Sequence, residues 1–210
     1  MRRLGGEHSD ARTDEQSRIA RYWSSNAGAF WNEIARIVVD ARQHDGNARN
    51  DLDAWQRSRL FAMLNAAMAD GFVSAWEAKY RYRYWRPITA IHRGDADGNP
   101  ATRPDASWTS MLVTPEHPEY PSAHSVLSGA ASTVLRCAMG SDRAPFRLTS
   151  RGTYPGITRS FPGFEAAAKE IADSRVYAGA HFRTANTEGL AEGRHIGDLV
   201  CRDLLPPLPG

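Results

Sequence analysis

With only two cysteines in 210 residues, Cys137 and Cys201, the chain has no disulfide framework and no zinc-like ligand spacing. The two lie far apart in sequence, and a pair of buried thiols is the simplest expectation for them. Long apolar runs are missing as well: nothing approaches the ~18 uninterrupted apolar residues of a membrane-spanning helix. The basic pair Arg2-Arg3 has no apolar stretch behind it, so no secretory leader is read here and a soluble, cytoplasmic protein is the default expectation. A net charge of +2 is too small to mark a nucleic-acid partner. Any anion binding must therefore come from local placement of Arg and Lys. Alternation with period two is also lacking, as is any internal repeat, which leaves helical patterning and an all-α helical bundle as the expected fold.

The length suits one well-buried domain and is too short for two large ones. Residues 1–12 read as a loose N-terminal arm, 13–205 as a single α-helical catalytic domain and 206–210 as a tail. Thr13 with Gln16 forms a capping-box pattern that opens a helix to about Ser24. Asn26 caps a second, with Phe30, Ile34, Ile37 and Val38 on one face, ending in the polar stretch 44–50. Asp51 or Asp53 caps a third, whose core face is Leu60, Met63, Leu64, Ala67, Met68, Gly71 and Phe72. That helix is expected to run to about Trp85, where Pro87 breaks it. Residues 92–120 form a long loop, and loops of that length carry function. A helix of small and apolar residues follows Ser122, then a second loop over about 140–160, then helices over about 164–180 and 186–204.

Three segments carry chemistry: Lys79 to Arg86-Pro87, Pro121-Ser122-Ala123-His124, and Ser174-Arg175 to His181. They assemble one Lys, two Arg and two His, with small residues beside the first His and no acidic partner evident in the set. Such a set suits a tetrahedral oxyanion. Guanidinium forks match its oxygens, and Lys79 adds a compact charge. The helix start at Ala123 offers free N–H groups, Ser122 a hydroxyl, and His124 proton transfer. Gly179 and Ala180 leave the His181 imidazole open to act as nucleophile or metal ligand. His117 falls at the mouth of the same pocket and Trp76, one turn before Lys79, walls it. Singly, each of these residues is more often a surface or packing residue; order and spacing give the combination its weight.

The three segments resemble the signature shared by vanadium-dependent haloperoxidases and type 2 phosphatidic acid phosphatases, which include bacterial acid phosphatases. That signature runs Lys, six residues, Arg-Pro; Pro-Ser-small-His; Ser-Arg, five residues, His. The phrases Trp85-Arg86-Pro87-Ile-Thr-Ala-Ile91, His117-Pro-Glu-Tyr-Pro-Ser-Ala-His124 and Arg159-Ser-Phe161 are similar to the bacterial haloperoxidase-like branch. The resemblance implies that Lys79, Arg86, Ser122, the Ala123 amide and Arg175 hold vanadate, that His181 binds the vanadium and that His124 hydrogen-bonds the apical oxygen. Lys79, His124 and His181 would be the catalytic set. His117 matches a position where bromide-oxidising members tend to carry His and chloride-oxidising ones Phe. The implied activity is oxidation of halide, bromide before chloride, by hydrogen peroxide, with an organic acceptor downstream. The alternative is a phosphomonoester hydrolase working through phosphohistidine, without vanadate; a third reading is a non-catalytic oxyanion-binding remnant. Phosphatases commonly carry Asp four residues after the second His, where this chain has Ala185. Relatives usually add a second helical bundle, and Trp23, Phe30 and Trp31 are apolar residues that one bundle is not expected to cover fully, so a homo-oligomer is expected.

Overall fold

The helix that follows Pro121-Ser122 is the axis of the molecule. In the computed structural model, which describes residues 1–44 and 52–205, this helix spans Ala123–Met139 and is buried on nearly every side. In chain order the elements are α1 (Arg2–Gly5), α2 (Asp14–Tyr22), α3 (Ala27–Gln43), α4 (Ala54–Tyr82), α5 (Pro87–His92), α6 (Ala123–Met139), β1 (Arg143–Thr149), β2 (Thr158–Gly163), α7 (Phe164–Tyr177) and α8 (Arg183–Asp203). Helices α3, α4, α7 and α8 surround α6. Its run of Ser, Gly, Ala and Thr is what allows that, because small side chains let neighbouring backbones approach. A Cβ at Gly193 of α8 would run into the Val126 carbonyl of α6, and one at Gly129 into the Leu190 carbonyl. The all-α bundle read from the sequence is the fold, with one small two-stranded addition.

The local signals hold where they rest on capping chemistry. Thr13 and Gln16 form both halves of a capping box at α2, and Asp53 with Gln56 does the same at α4. Asn26 caps α3 by accepting from the Ala29 N–H. Asp51, the other candidate cap for α4, lies outside the described residues, as do most of the 44–50 stretch and the 206–210 tail.

Four expectations need correction. First, α4 ends at Tyr82 rather than near Trp85. Arg83 takes a left-handed conformation (φ 48°), and Pro87 then starts α5 at a first-turn position where its missing N–H costs nothing. Phe72 leaves the α4 core face and is 45% exposed. Second, the 140–160 loop is largely an antiparallel hairpin that pairs Phe146 with Phe161, so Phe146, Leu148 and Phe161 close one end of the core. The inward alternation in β1 is two residues long, too short to read as a strand. Third, residues 1–12 are tied down. Gly6 bridges to Ser110, and the Arg12 guanidinium donates to the Leu4 and Gly6 carbonyls. Fourth, Trp23, Phe30 and Trp31 are core residues, packed under α6, α7 and the hairpin. Tyr22 donates to the Leu148 carbonyl, Trp23 to Glu170 and Trp31 to Ser128, so each polar edge is satisfied inside. The apolar side chains expected to drive self-association are therefore internal.

The two cysteines also depart from expectation. Cys137 is exposed and Cys201 half-buried, both are reduced, and burial together with the neighbouring Cys137 thiol raises Cys201 to about 12. Gly197 meets Thr133 one turn earlier on the same two helices, and the four-residue step carries the pairing on to Cys201 and Cys137. No helix among the described residues is long and apolar enough to cross a membrane.

Candidate functional site

The three sequence segments converge at the N-terminal end of α6. Lys79 comes from the last turn of α4, Arg86 from the N-cap of α5, Ser122 from the N-cap of α6 and Arg175 from the last turn of α7. His181 lies beyond α7, in the turn before α8. Gly179 makes that turn possible: its φ of +78° favours glycine, and a Cβ there would strike the Gly5 carbonyl. Helix α1, read from the sequence as part of a loose arm, thus buttresses the loop that presents His181.

A cavity of about 140 Å³ opens between these elements. Its walls include Trp76, His117, Ala123, His124, Arg175 and His181. The ring of Phe72 stacks on Trp76 at 4.0 Å, and Trp76 lies 4.9 Å from the His117 ring, so aromatic surface forms the mouth. Six of the residues singled out from the sequence therefore line one cavity.

Lys79 and Arg86 stand behind it, with their donors largely engaged by the chain. Lys79 Nζ, fully buried, donates to the carbonyls of Pro118, Glu119 and Pro121 at 2.8, 2.9 and 2.6 Å. Arg86 donates to the carbonyls of His117 (2.9 Å) and Ala180 (2.8 Å), and its Nη1 and Nη2 contact His181 Nε2 and His117 Nδ1, both at 3.1 Å. These two cations clamp the 117–121 segment. Burial and the nearby Arg86 push Lys79 down to about 7, while its three carbonyl partners favour the ammonium form, which alone supplies three donors.

Arg175 and Ser122 differ. Arg175 is 5% exposed, yet its Nε and Nη1 have no hydrogen-bond partner among the described residues, and the same is true of the buried Ser122 hydroxyl. Such groups are costly in a folded protein and call for a ligand. Burial and Arg86 lower Arg175 to about 10, which leaves it charged at neutral pH. Ala123, at the start of α6, lines the same cavity as Arg175, and Ser122 makes no side-chain cap to the first-turn amides there.

Both site histidines are held neutral. His124 Nε2 lies 3.1 Å from the Ser25 carbonyl, which can only accept, so Nε2 carries the proton and Nδ1 is free to take one. Burial, then Arg175, depresses His124 to about 3. His181 is pushed well below the usual imidazole range by burial, then by Arg86, Arg175 and Lys79. His117 is lowered by burial and by Lys79 and Arg86.

Two groups escaped the sequence reading. Ser25, in the turn between α2 and α3, orients His124. Glu119, 1% exposed, places Oε1 at 3.0 Å from His181 Nδ1 and accepts the Phe182 N–H at 2.9 Å. Burial raises its carboxyl to about 7 against the opposing pull of the Phe182 N–H, Arg86 and Lys79. The set is thus not free of acid, as its sequence suggests. The only signal for Glu119 was its place in the His117–His124 phrase.

Comparison with known proteins agrees with this layout. A family model described as the VCPO second helical-bundle domain matches residues 59–206. The vanadium chloroperoxidase of Curvularia inaequalis is 24% identical over 143 residues, which is 61% of this chain and 24% of that protein. A bacterial vanadium-dependent iodoperoxidase, solved by crystallography, superposes with a TM-score of 0.78 at 35% identity, covering 93% of this chain and 45% of its own. The holo-type crystal structure of a bacterial vanadium-dependent chloroperoxidase gives 0.69 at 23% identity over 91% of this chain and 44% of its own, a likeness of fold. The chain thus spans about a quarter of the curated relative and under half of those solved chains. Since the family model covers well over half of the residues here, including every segment of the site, the protein belongs to the family of the VCPO second helical-bundle domain.

Proposed function

We propose that the cavity binds a tetrahedral oxyanion, that its resident group is vanadate, and that the protein works as a vanadium-dependent haloperoxidase oxidising bromide in preference to chloride. The observation that carries this reading is the set of buried, unpartnered donors on Arg175 and Ser122 beside a cavity walled by two neutral histidines. Buried donors without acceptors, in a site lined by positive charge, fit an oxyanion. Bound vanadate would supply Lewis-acid activation of hydrogen peroxide.

The residues would divide the work as follows. Arg175, Ser122 and the Ala123 amide donate to the oxyanion's oxygens. Lys79 and Arg86 add positive potential from one layer back and fix the segment that bears Ser122. His181 offers Nε2 as the anchoring atom. His124 holds its proton on Nε2 against Ser25 and accepts or returns a second one at Nδ1. His117 and Trp76 shape the halide and acceptor entrance, and the imidazole at position 117 supports bromide. The proposed substrates are small molecules: peroxide, halide and an organic acceptor.

One observation favours the phosphatase reading. Glu119 gives His181 the carboxylate partner that phosphohistidine chemistry uses, although Ala185 cannot. Parallel assays separate the two: peroxide-dependent bromination and hydrolysis of a generic phosphomonoester, each with and without orthovanadate. Vanadate-dependent bromination with vanadate-inhibited or absent hydrolysis is expected. Hydrolysis that vanadate inhibits, without bromination, would replace the haloperoxidase reading by the phosphatase one.

A further inference from the structure

We infer that Glu119 is a positioning residue that locks the His181 imidazole in one tautomer and one orientation, leaving Nε2 unprotonated toward the site. The inference rests on the proposal that His181 anchors the oxyanion, and goes beyond it by assigning the group that prepares that anchor.

The argument comes from what the neighbours of His181 can and cannot do. At Nδ1 the neighbour is Glu119 Oε1, at 3.0 Å, an oxygen that already accepts the Phe182 N–H. At Nε2 the neighbour is Arg86 Nη1, at 3.1 Å, and a guanidinium has donors only. Both sides demand the same form: a proton on Nδ1 and a lone pair on Nε2. A lone pair on Nε2 is what an attacking or coordinating atom needs, and a carboxylate on the opposite nitrogen raises its basicity.

Glu119 is itself held too firmly to be a chance neighbour. Its N–H donates to the Tyr84 carbonyl at 2.9 Å, its own carbonyl accepts from Lys79 Nζ at 2.9 Å, and its side chain is 1% exposed. Lys79 and Arg86 grip the residues on either side of it through Pro118, Pro121 and His117. The place where a phosphatase would offer an orienting Asp is filled by Ala185, fully buried, whose carbonyl instead accepts the Ser122 N–H at 3.1 Å. The carboxylate therefore reaches His181 from the 117–121 segment rather than from α8. One segment thus orients the anchor while leading directly into Ser122 of the oxyanion cradle.

A bulk-charge role predicts the opposite sign. If Glu119 acted only as an anion in a cationic site, its removal would tighten oxyanion binding. Acting through His181, its removal weakens binding. Near-isosteric Glu119→Gln keeps an acceptor oxygen but loses the charge; Glu119→Ala loses both. Nitrogen-15 NMR of the His181 ring reads the tautomer, and calorimetric titration with orthovanadate and with inorganic phosphate reads affinity. Wild type should show the Nδ1–H form. Glu119→Gln should keep it and bind about tenfold more weakly, and Glu119→Ala should mix tautomers and lose roughly a hundredfold, the range typical of groups that orient a ligand. In a His181→Ala background neither change should weaken binding further. Unchanged tautomers with tighter binding in both variants would overturn the inference. If wild type bound neither probe, the oxyanion reading itself would fail, and the tautomer spectra would still judge Glu119; circular dichroism melting confirms that each variant is folded.

Discussion

Replacing Arg175 by methionine should separate ligand binding from fold stability, with effects of opposite sign. The side chain sits in the last turn of α7, 5% exposed, with Nε and Nη1 unpartnered among the described residues. Without an anion, this is a buried cation that the fold does not compensate. Methionine has similar reach and no charge, so ligand-free stability should hold or rise, in line with the 0 to about 4 kcal/mol gained when buried ionic groups give way to apolar ones. The main chain at this position, whose carbonyl accepts the Ala180 and His181 N–H groups, is untouched. Oxyanion affinity should behave otherwise. Two charge-assisted hydrogen bonds at about 1.5–3 kcal/mol each put the loss at roughly 3–6 kcal/mol. That corresponds to a Kd raised by about two to four orders of magnitude. Arg175→Lys, which keeps the charge and loses the fork, should cost about 1–3 kcal/mol. Titration calorimetry with orthovanadate gives the affinities. Melting with and without the anion gives the rest, since saturating ligand at about 100 Kd stabilises wild type by about 2.7 kcal/mol and should do almost nothing for the methionine variant. A variant that melts many degrees lower without ligand, yet binds vanadate as wild type does, would make Arg175 a structural residue and refute the reasoning.

Other perturbations test other links. His124 is depressed from 6.5 to about 3, so the folded state binds fewer protons than the unfolded one between those values, and stability is lost as pH falls through that window. His124→Gln should flatten the acid limb of stability by up to about 1.4 kcal/mol per pH unit, read by urea unfolding between pH 4 and 7; an unchanged slope would show that His124 is not held neutral by the fold. Gly193→Val should part α6 from α8, because the first side-chain carbon already meets the Val126 carbonyl. A loss of about 3 kcal/mol, or a Tm lower by roughly 6–12 °C, is expected, and a near-wild-type Tm would contradict the close packing. Mild hydrogen peroxide should oxidise the adjacent thiols to an intramolecular Cys137–Cys201 disulfide, stabilising the fold by about 3–4 kcal/mol, whereas disulfide-linked dimers alone would show that the two do not meet.

What could be read from the sequence was set by how local each signal is. The capping box at Thr13 involves residues three apart, and α2 begins where it says, while of the two caps offered for the next long helix, α4 uses Asp53. The three site segments could be read because each packs several constrained groups into a short stretch, and the fold then needs only to bring the stretches together. Distances set by tertiary contact were not readable. Lys79 and Arg86 look like ligand-binding cations in sequence, yet their donors are spent on carbonyls 31 to 94 residues away. The β1–β2 hairpin is not legible because its inward alternation is only Phe146 and Leu148, with exposed Arg147 between them, so only packing against Tyr22 and Trp23 reveals it. Glu119 is the sharpest case. A glutamate between two prolines in a loop has no local mark of burial, and its partner His181 lies 62 residues on. Only the closure of α1 on Gly179, together with the grip of Lys79 on residues 118–121, brings that carboxylate to the imidazole. Its role is thus a property of the assembled site: Ala185 leaves the imidazole without a carboxylate from α8, and the fold brings one from the 117–121 segment instead.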